Sequence, residues 1–383
     1  MKFLHTADWH LGRQFHNVSL LEDQAHVLQQ FVSLATERAV DAIVIAGDVY
    51  DRAVPPASAV SLLNDVLERL VLSAGIPVIM IAGNHDSPER LAFGNRVLTA
   101  GGFHVHGPLA SSTDPLVLSD THGPVHFCPI PYADPAAVRL HLADESIHGH
   151  EASVSALAAQ LRARVPANTR SIAIGHCWVT GGKESESERP LTVGGTGEVG
   201  ASCFDGFHYT ALGHLHRPQE VGQGVHYSGS LLKYSFSEVD HRKSVSLVDL
   251  DAKGSVQVER IPLSPRRDVR VIEGALDNLL HGPSDGDSRD DYLLVRLSDQ
   301  KAILDAIGKL RQVYPNVLHL ERPGLQAGRS ADLKGGEHLK RSEVDLYKDF
   351  YQEVTGNELL EGGEEVFNEV VASLLHGNRE DAE

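Results

Sequence analysis

The sequence predicts an α/β fold followed by a small α/β module and a helical tail, and three observations carry that expectation. Short β-branched apolar runs alternate with helix-length segments through the first half of the chain, the pattern of strands buried on both faces and joined by helical crossovers. A polar, proline-containing joint at residues 264–268 then precedes a fresh strand–helix–strand pattern. Beyond Gly335-Gly336 the apolar residues recur at helical spacing among many acids, as in amphipathic helices.

In chain order, the runs at residues 2–6, 42–46, 77–82 and 171–174 predict strands, and residues 20–40 and 58–73 predict helices between them. From residue 207 the pattern changes. Runs at 207–212, 225–228, 245–250 and 255–261, joined by short Gly or Asp turns, predict a second and more antiparallel sheet. A new unit begins at Val269, with a loop at 284–291, strands at 292–297 and 317–321 and a helix at 301–313. Residues 344–351 and 364–375 are predicted amphipathic helices, whose apolar faces require cover from a partner or from the domain itself. The expected domains are therefore 1–265, 266–338 and 339–383.

The chain has 383 residues, which exceeds the usual size of a single core, and is 42% apolar and 22% charged. No signal-like segment or bilayer-length apolar run occurs, so the expected location is the cytoplasm. Its three cysteines, Cys128, Cys177 and Cys203, form no CxxC pair, so neither a thiolate zinc site nor a disulfide framework is implied. The net charge of −18 argues against a protein that grips nucleic acid by its own electrostatics. If DNA is the substrate, metals or a partner must supply much of the attraction. Of the 22 histidines, His141, His148 and His150 sit in polar stretches and are expected to be solvated surface groups.

Five short motifs fall where strands should end: Asp8-Trp9-His10, Gly47-Asp48-Val49-Tyr50-Asp51, Gly83-Asn84-His85-Asp86, Gly175-His176 and Gly213-His214-Leu215-His216. Side chains at the carboxyl ends of strands in an open α/β sheet converge on one crevice. His, Asp and Asn together form a nitrogen and oxygen donor set suited to divalent Mn, Zn or Fe, and a carboxylate can bridge two ions. The Asp-x-His and His-x-His pairs would put alternate residues on one side of an extended segment. A lone Asp-x-His is mostly accidental; five such motifs in order, each after a plausible strand, are not.

This series resembles the signature of the calcineurin-like metallophosphoesterase superfamily, and the likeness covers roughly residues 1–260. Within it the opening 1–12, the segment 211–219 and Tyr227-Ser228-Gly229-Ser230 are similar to the nuclease subunits of bacterial DNA-repair complexes. The resemblance implies a four-layer β-sandwich flanked by helices, with 266–338 as a small α/β capping domain that guides DNA and 339–383 as a helical C-terminal tail. It implies that Asp8, His10 and His216 hold one metal ion, that Asn84, His176 and His214 hold a second, and that Asp48 bridges them. The ions would be Mn²⁺, with Mg²⁺ less effective, and His85 would be the catalytic histidine facing the scissile phosphate. In archaeal and eukaryotic relatives the position of Asp51 is a histidine; here Asp51, like Asp86, is expected to be an acceptor that orients a ligand or His85.

The implied activity is a Mn-dependent DNA phosphodiesterase, a double-strand exonuclease and a hairpin or single-strand endonuclease in DNA repair, replication and recombination. Its implied partner is an SMC-type ATPase, in a heterotetramer with two copies of each chain and therefore a possible self-dimer. Two alternatives stand beside this reading. One is a stand-alone nucleotide phosphodiesterase or phosphatase, against which the extra module and tail count; the other is a non-catalytic scaffold, against which the complete ligand set counts.

Overall fold

The computed structural model describes residues 1–111, 114–191, 197–284, 286–299, 301, 303–323, 342–355, 358–360 and 362–380. It divides into two compact units, one comprising Met1–Val271 with Asp290–Tyr292, the other Ile272–Arg289 with Leu293–Glu383. Among the described residues no helix is long and apolar enough to cross a membrane.

The strands that build the two main sheets of the first unit are β1 (Lys2–Thr6), β2 (Ala42–Ala46), β3 (Val78–Ile81), β4 (Phe103–His106), β5 (Leu116–Asp120), β6 (Gly123–Ile130), β7 (Arg170–His176), β8 (Tyr209–Gly213), β9 (Gln219–Gly222), β10 (Val225–Tyr227), β11 (Ser244–Leu250) and β12 (Val256–Pro262). They form two six-stranded sheets, β12-β11-β1-β2-β3-β4 and β9-β10-β8-β7-β6-β5. Phe3, Ala42, Val44, Ala46, Ile79 and Ile81 of the first sheet share one core with Val125, Phe127, Ile172, Ile174, Tyr209 and Ala211 of the second. Strand side chains alternate, so the equally buried Ile43 and Ile45 face the opposite side, that of the crossover helix Leu21–Glu37. The second sheet is covered on its outer face by the helix Gly149–Arg162, whose Leu157, Ala158 and Leu161 pack with Cys128, Ile130 and Ala173. Helix, sheet, sheet and helix thus make four layers.

The structure corrects several expectations. Residues 207–261 do not make a separate antiparallel sheet. Strand β8 lies parallel between β7 and β10, whereas β11 crosses to the first sheet, antiparallel to β1, and takes β12 with it. The Gly and Asp turns mark reversals of the chain but do not say which sheet receives the next strand. The pair β5 and β6 has no counterpart among the expected strands, and β6 lies inside the second sheet beside β7. The helix expected at 58–73 is α-helical over Ala57–Leu67 and ends in a π-turn at Glu68–Ser73. His150 is buried, with its ring stacked on Tyr132 at 6.0 Å, rather than solvated.

A three-stranded sheet of Val269–Gly274, Tyr292–Leu297 and Val317–Glu321, in that order, lies mostly in the second unit, with Val269–Val271 and Tyr292 counted in the first. The core of the second unit is Leu276, Leu293, Val295, Leu297, Leu310, Tyr314 and Val317. The helix expected at 301–313 is shorter, Ala306–Arg311, because the Asp305 side chain accepts from the Gly308 N–H and sets the start. The helices Glu343–Thr355 and Gly363–Glu380 follow, with Tyr347 stacked on Phe367 at 4.2 Å. The expected boundary between 338 and 339 lies outside the described residues. The other expected boundary, at 265, falls inside the first unit, which also takes back Asp290–Tyr292.

Candidate metal centre

The parallel strands β1, β2, β3, β7 and β8 share a direction, so their carboxyl ends open on one side of the two sheets. Beyond those ends the loops stay paired: Asp8 N–H donates to Gly47 O at 3.1 Å, His10 N–H to Asp48 O at 3.0 Å and Leu11 N–H to Val49 O at 2.9 Å. The backbone there is not extended. Asp8, His10, Asp48 and His214 have φ of 54°, 45°, 49° and 103°. Non-glycine residues rarely occupy this left-handed region, and such strain collects at functional sites. The paired motifs therefore converge through a sharply turned backbone, not by the simple alternation expected from the sequence.

Side chains from elsewhere hold these loops. Gln24 Nε2 donates to Trp9 O and His10 O, and Gln24 Oε1 accepts from Gly12 N–H. The Asp86 carboxylate accepts from the N–H groups of Val49, Tyr50 and Gly83, which ties the second motif to the third. Gly83 is required here, since a Cβ on it would lie 2.2 Å from Asp48 Oδ1.

All eight candidate residues come together. His10 Nε2 is 3.1 Å from His216 Nε2, and both rings lie with Asp8 in one potential ion-binding group. Asn84 Oδ1 is 3.0 Å from His176 Nε2 and 3.2 Å from His214 Nδ1. Between the two trios stands Asp48, its Oδ2 3.7 Å from His10 Nε2 and 3.5 Å from His176 Nε2. His85 Nε2 reaches within 3.9 Å of the same oxygen, while its Nδ1 lies 2.8 Å from Asp51 O. Asp51 thus meets His85 through its carbonyl. Its carboxylate instead pairs with Arg13 at 3.2 Å and stands 3.8 Å from His10 Nδ1.

Apart from the half-buried Asn84, the eight candidate residues are at most 4% exposed. Burial raises the Asp8 carboxyl to about 7 and lowers His10 and His214 well below the usual imidazole range. Burial also works against ionised Asp48 and His176, yet their mutual attraction wins: Asp48 stays well below the carboxylate range and His176 rises to about 9. The donor set fits divalent cations on an observation of its own. Asp8 Oδ2 and His10 Nδ1 are buried without a hydrogen-bond partner, and buried polar atoms are seldom left so. Two imidazole nitrogens facing each other at 3.1 Å beside carboxylates likewise suit a cation between them.

Several residues that hold the site carry no sequence signal: Gln24, Ser187, Glu238 and Lys243 lie well away from the motifs in the chain, and Arg13, just past the first motif, is marked by nothing in it. Of the supporting groups, Asp51 and Asp86 lie within motifs.

Residues 1–154 match the family model of calcineurin-like phosphoesterases, and residues 265–355 match one described as the type 5 capsule protein repressor C-terminal domain. The SbcD component of nuclease SbcCD from Staphylococcus epidermidis is 35% identical over 360 residues, covering 94% of this chain and 95% of that one. Its namesake in Staphylococcus saprophyticus is 34% identical over 376 residues, covering 98% and 99%.

Proposed function

The chain belongs to the SbcD family within the calcineurin-like phosphoesterases and is a metal-dependent nuclease, and from that premise we propose a two-metal, Mn²⁺-dependent DNA phosphodiesterase acting as a double-strand exonuclease and a hairpin or single-strand endonuclease. The observation that carries the two-metal reading is the Asp48 carboxylate standing between two trios of donors. Asp8, His10 and His216 would hold one ion, Asn84, His176 and His214 the other, with Asp48 shared. When bound, such a pair supplies Lewis-acid polarisation of the phosphate and a water of lowered pKa.

The chain's own groups do the rest. His176 Nδ1–H donates to Ala46 O at 2.9 Å, which leaves Nε2 to face the site. His85 Nδ1–H donates to Asp51 O, so its Nε2 is the atom available to the substrate. Protonated there, Nε2 passes a proton to the departing alkoxide oxygen or donates a hydrogen bond to the phosphate as charge develops. Burial of the whole cluster excludes competing water and strengthens each of these contacts.

The partner in this reading is DNA together with an SbcC-like SMC-type ATPase, in a heterotetramer. Residues 266–338 serve as the DNA-capping domain and 339–383 as the tail that docks on the ATPase. Support for the tail comes from Leu346 and Val366, exposed on its two helices. The chain's charge of −18 further suits a nuclease whose hold on DNA is shared with metals and a partner.

The test is Mn²⁺-dependent cleavage of a linear duplex and a hairpin by wild type and His85→Ala, with bis-p-nitrophenyl phosphate as a small diester. DNA cleavage that the variant loses by about 100-fold or more, with metal binding retained, is the expected result. Full activity in His85→Ala would sink its assigned role. Cleavage of the small diester alone, even with the ATPase added, would favour a nucleotide phosphodiesterase.

A further inference from the structure

Behind His216 lies a buried polar chain that the reaction as described does not use. Ser187 Oγ is 2.6 Å from His216 Nδ1 and 2.5 Å from Glu238 Oε1. Lys243 Nζ donates to Glu238 Oε2 at 2.5 Å, to His216 O at 2.8 Å and to Ser230 Oγ at 2.8 Å. The His216 N–H donates to Glu188 Oε1 at 2.7 Å, so the ring nitrogen, the carbonyl and the amide of one residue are all held. Glu238 is fully buried, and Ser187 and Lys243 nearly so.

The donor count fixes the direction of this chain. A carboxylate paired with an ammonium can only accept, and Glu238 does so from Lys243, from Ser187 and from the Tyr234 N–H at 3.2 Å. Ser187 has a single hydroxyl hydrogen, and it is spent on Glu238. Towards His216 the same oxygen must therefore accept, which requires the ring proton to sit on Nδ1. Nε2 then presents its lone pair to the cluster, 3.1 Å from His10 Nε2.

We propose that Ser187 and Glu238 are positioning residues for the metal centre, a carboxylate–serine relay that locks His216 in the Nδ1–H tautomer and orients its ring for coordination through Nε2. The inference rests on the reading of His216 as a metal ligand. It resembles in physical terms the direct carboxylate–histidine pairing behind many bound metals, with a hydroxyl inserted between the two. Ser187 and Glu188 belong to one loop and Glu238 and Lys243 to another, so the relay ties both loops to the ligand. Arg13 adds a further tie by donating to Ser187 O at 3.2 Å while pairing with Asp51.

Two measurements test it. Histidine-selective ¹⁵N NMR of the metal-free full-length chain reads the tautomer of His216 directly, with its signal assigned by loss in His216→Ala. The Nδ1–H form is expected, and an Nε2–H form would overturn the relay without any variant at risk of misfolding. Calorimetric Mn²⁺ titration is then compared among wild type, Ser187→Ala, Ser187→Thr and His216→Ala, alongside the melting temperature of each metal-free protein. Ser187→Ala is expected to weaken one ion by roughly 10- to 100-fold with little change in metal-free melting, and the hydroxyl-retaining Ser187→Thr to bind more tightly than Ser187→Ala. Wild-type affinity in Ser187→Ala, or a loss that merely tracks a fall in melting temperature, would reduce the network to a structural role. If His216→Ala itself binds both ions normally, the ligand assignment fails and not the relay alone.

Discussion

At the scale of single residues, the site depends on buried polar groups whose partners are fully specified. Gln24 makes three bonds to the loop of Asp8 and His10, and removing it strands buried backbone groups. Gln24→Ala is expected to cost about 2–3 kcal/mol and to weaken metal binding, as read by urea unfolding and metal titration; unchanged metal affinity would mean that the loop holds itself. Away from the site, Arg170 and Asp120 form a two-bond ion pair with both side chains 6% exposed. The guanidinium holds the Asp120 carboxyl well below the usual range. A depressed folded pKa means that the unfolded chain binds more protons as the pH falls, so the pair stabilises fully above the unfolded value near about 4 and is lost as the pH drops through the lower folded value. Asp120→Asn should destabilise by about 3 kcal/mol near pH 7, with the gap to wild type narrowing in unfolding curves taken below about pH 4. A gap independent of pH would show that the charge of Asp120 does not matter.

At the scale of elements, the strand ends and the glycines beyond them decide how closely the motifs approach. A Cβ at Gly213 would lie 2.0 Å from Ala46 O and 2.9 Å from His176 Nδ1, so the end of β8 can meet the end of β2 only without a side chain. Gly213→Ala should lower stability by about 1–3 kcal/mol and abolish tight metal binding, because it separates the loops that carry His214 and Asp48. A variant that melts and binds metal like wild type would contradict that packing. The parallel strands that carry the motifs were legible because Ala42–Ala46 and its neighbours are short apolar runs ending in a motif, whereas β4 and β6, parallel as well, end in no motif and were not. The assignment of β11 and β12 to the first sheet was not, since sheet membership is settled by long-range pairing such as Leu4 with Leu247. The motifs were legible as ordered short signatures at strand ends. Their supports were not: Gln24, Ser187, Glu238 and Lys243 reach the site from unrelated parts of the chain, where nothing local marks them.

At the scale of the whole molecule, the first unit extends beyond its expected end at residue 265. Buried Asp23 accepts two bonds from Arg267 and one from the Tyr292 hydroxyl, all within that unit. Arg267→Ala is expected to destabilise the chain by about 3–5 kcal/mol by leaving a buried carboxylate short of its countercharge, and a truncation after residue 265 should be at least as damaging. A truncated chain that melts at the wild-type temperature would place the boundary where the sequence suggested. The central claim is that side chains from five strand ends, joined by Asp48, build a single centre for two ions. It is tested most directly by titrating Mn²⁺ into the full-length protein and counting bound ions per chain, in wild type and Asp48→Asn. Two ions in wild type, with both weakened by the one substitution, is the predicted result; a single ion, or two of which Asp48→Asn leaves either untouched, would contradict it.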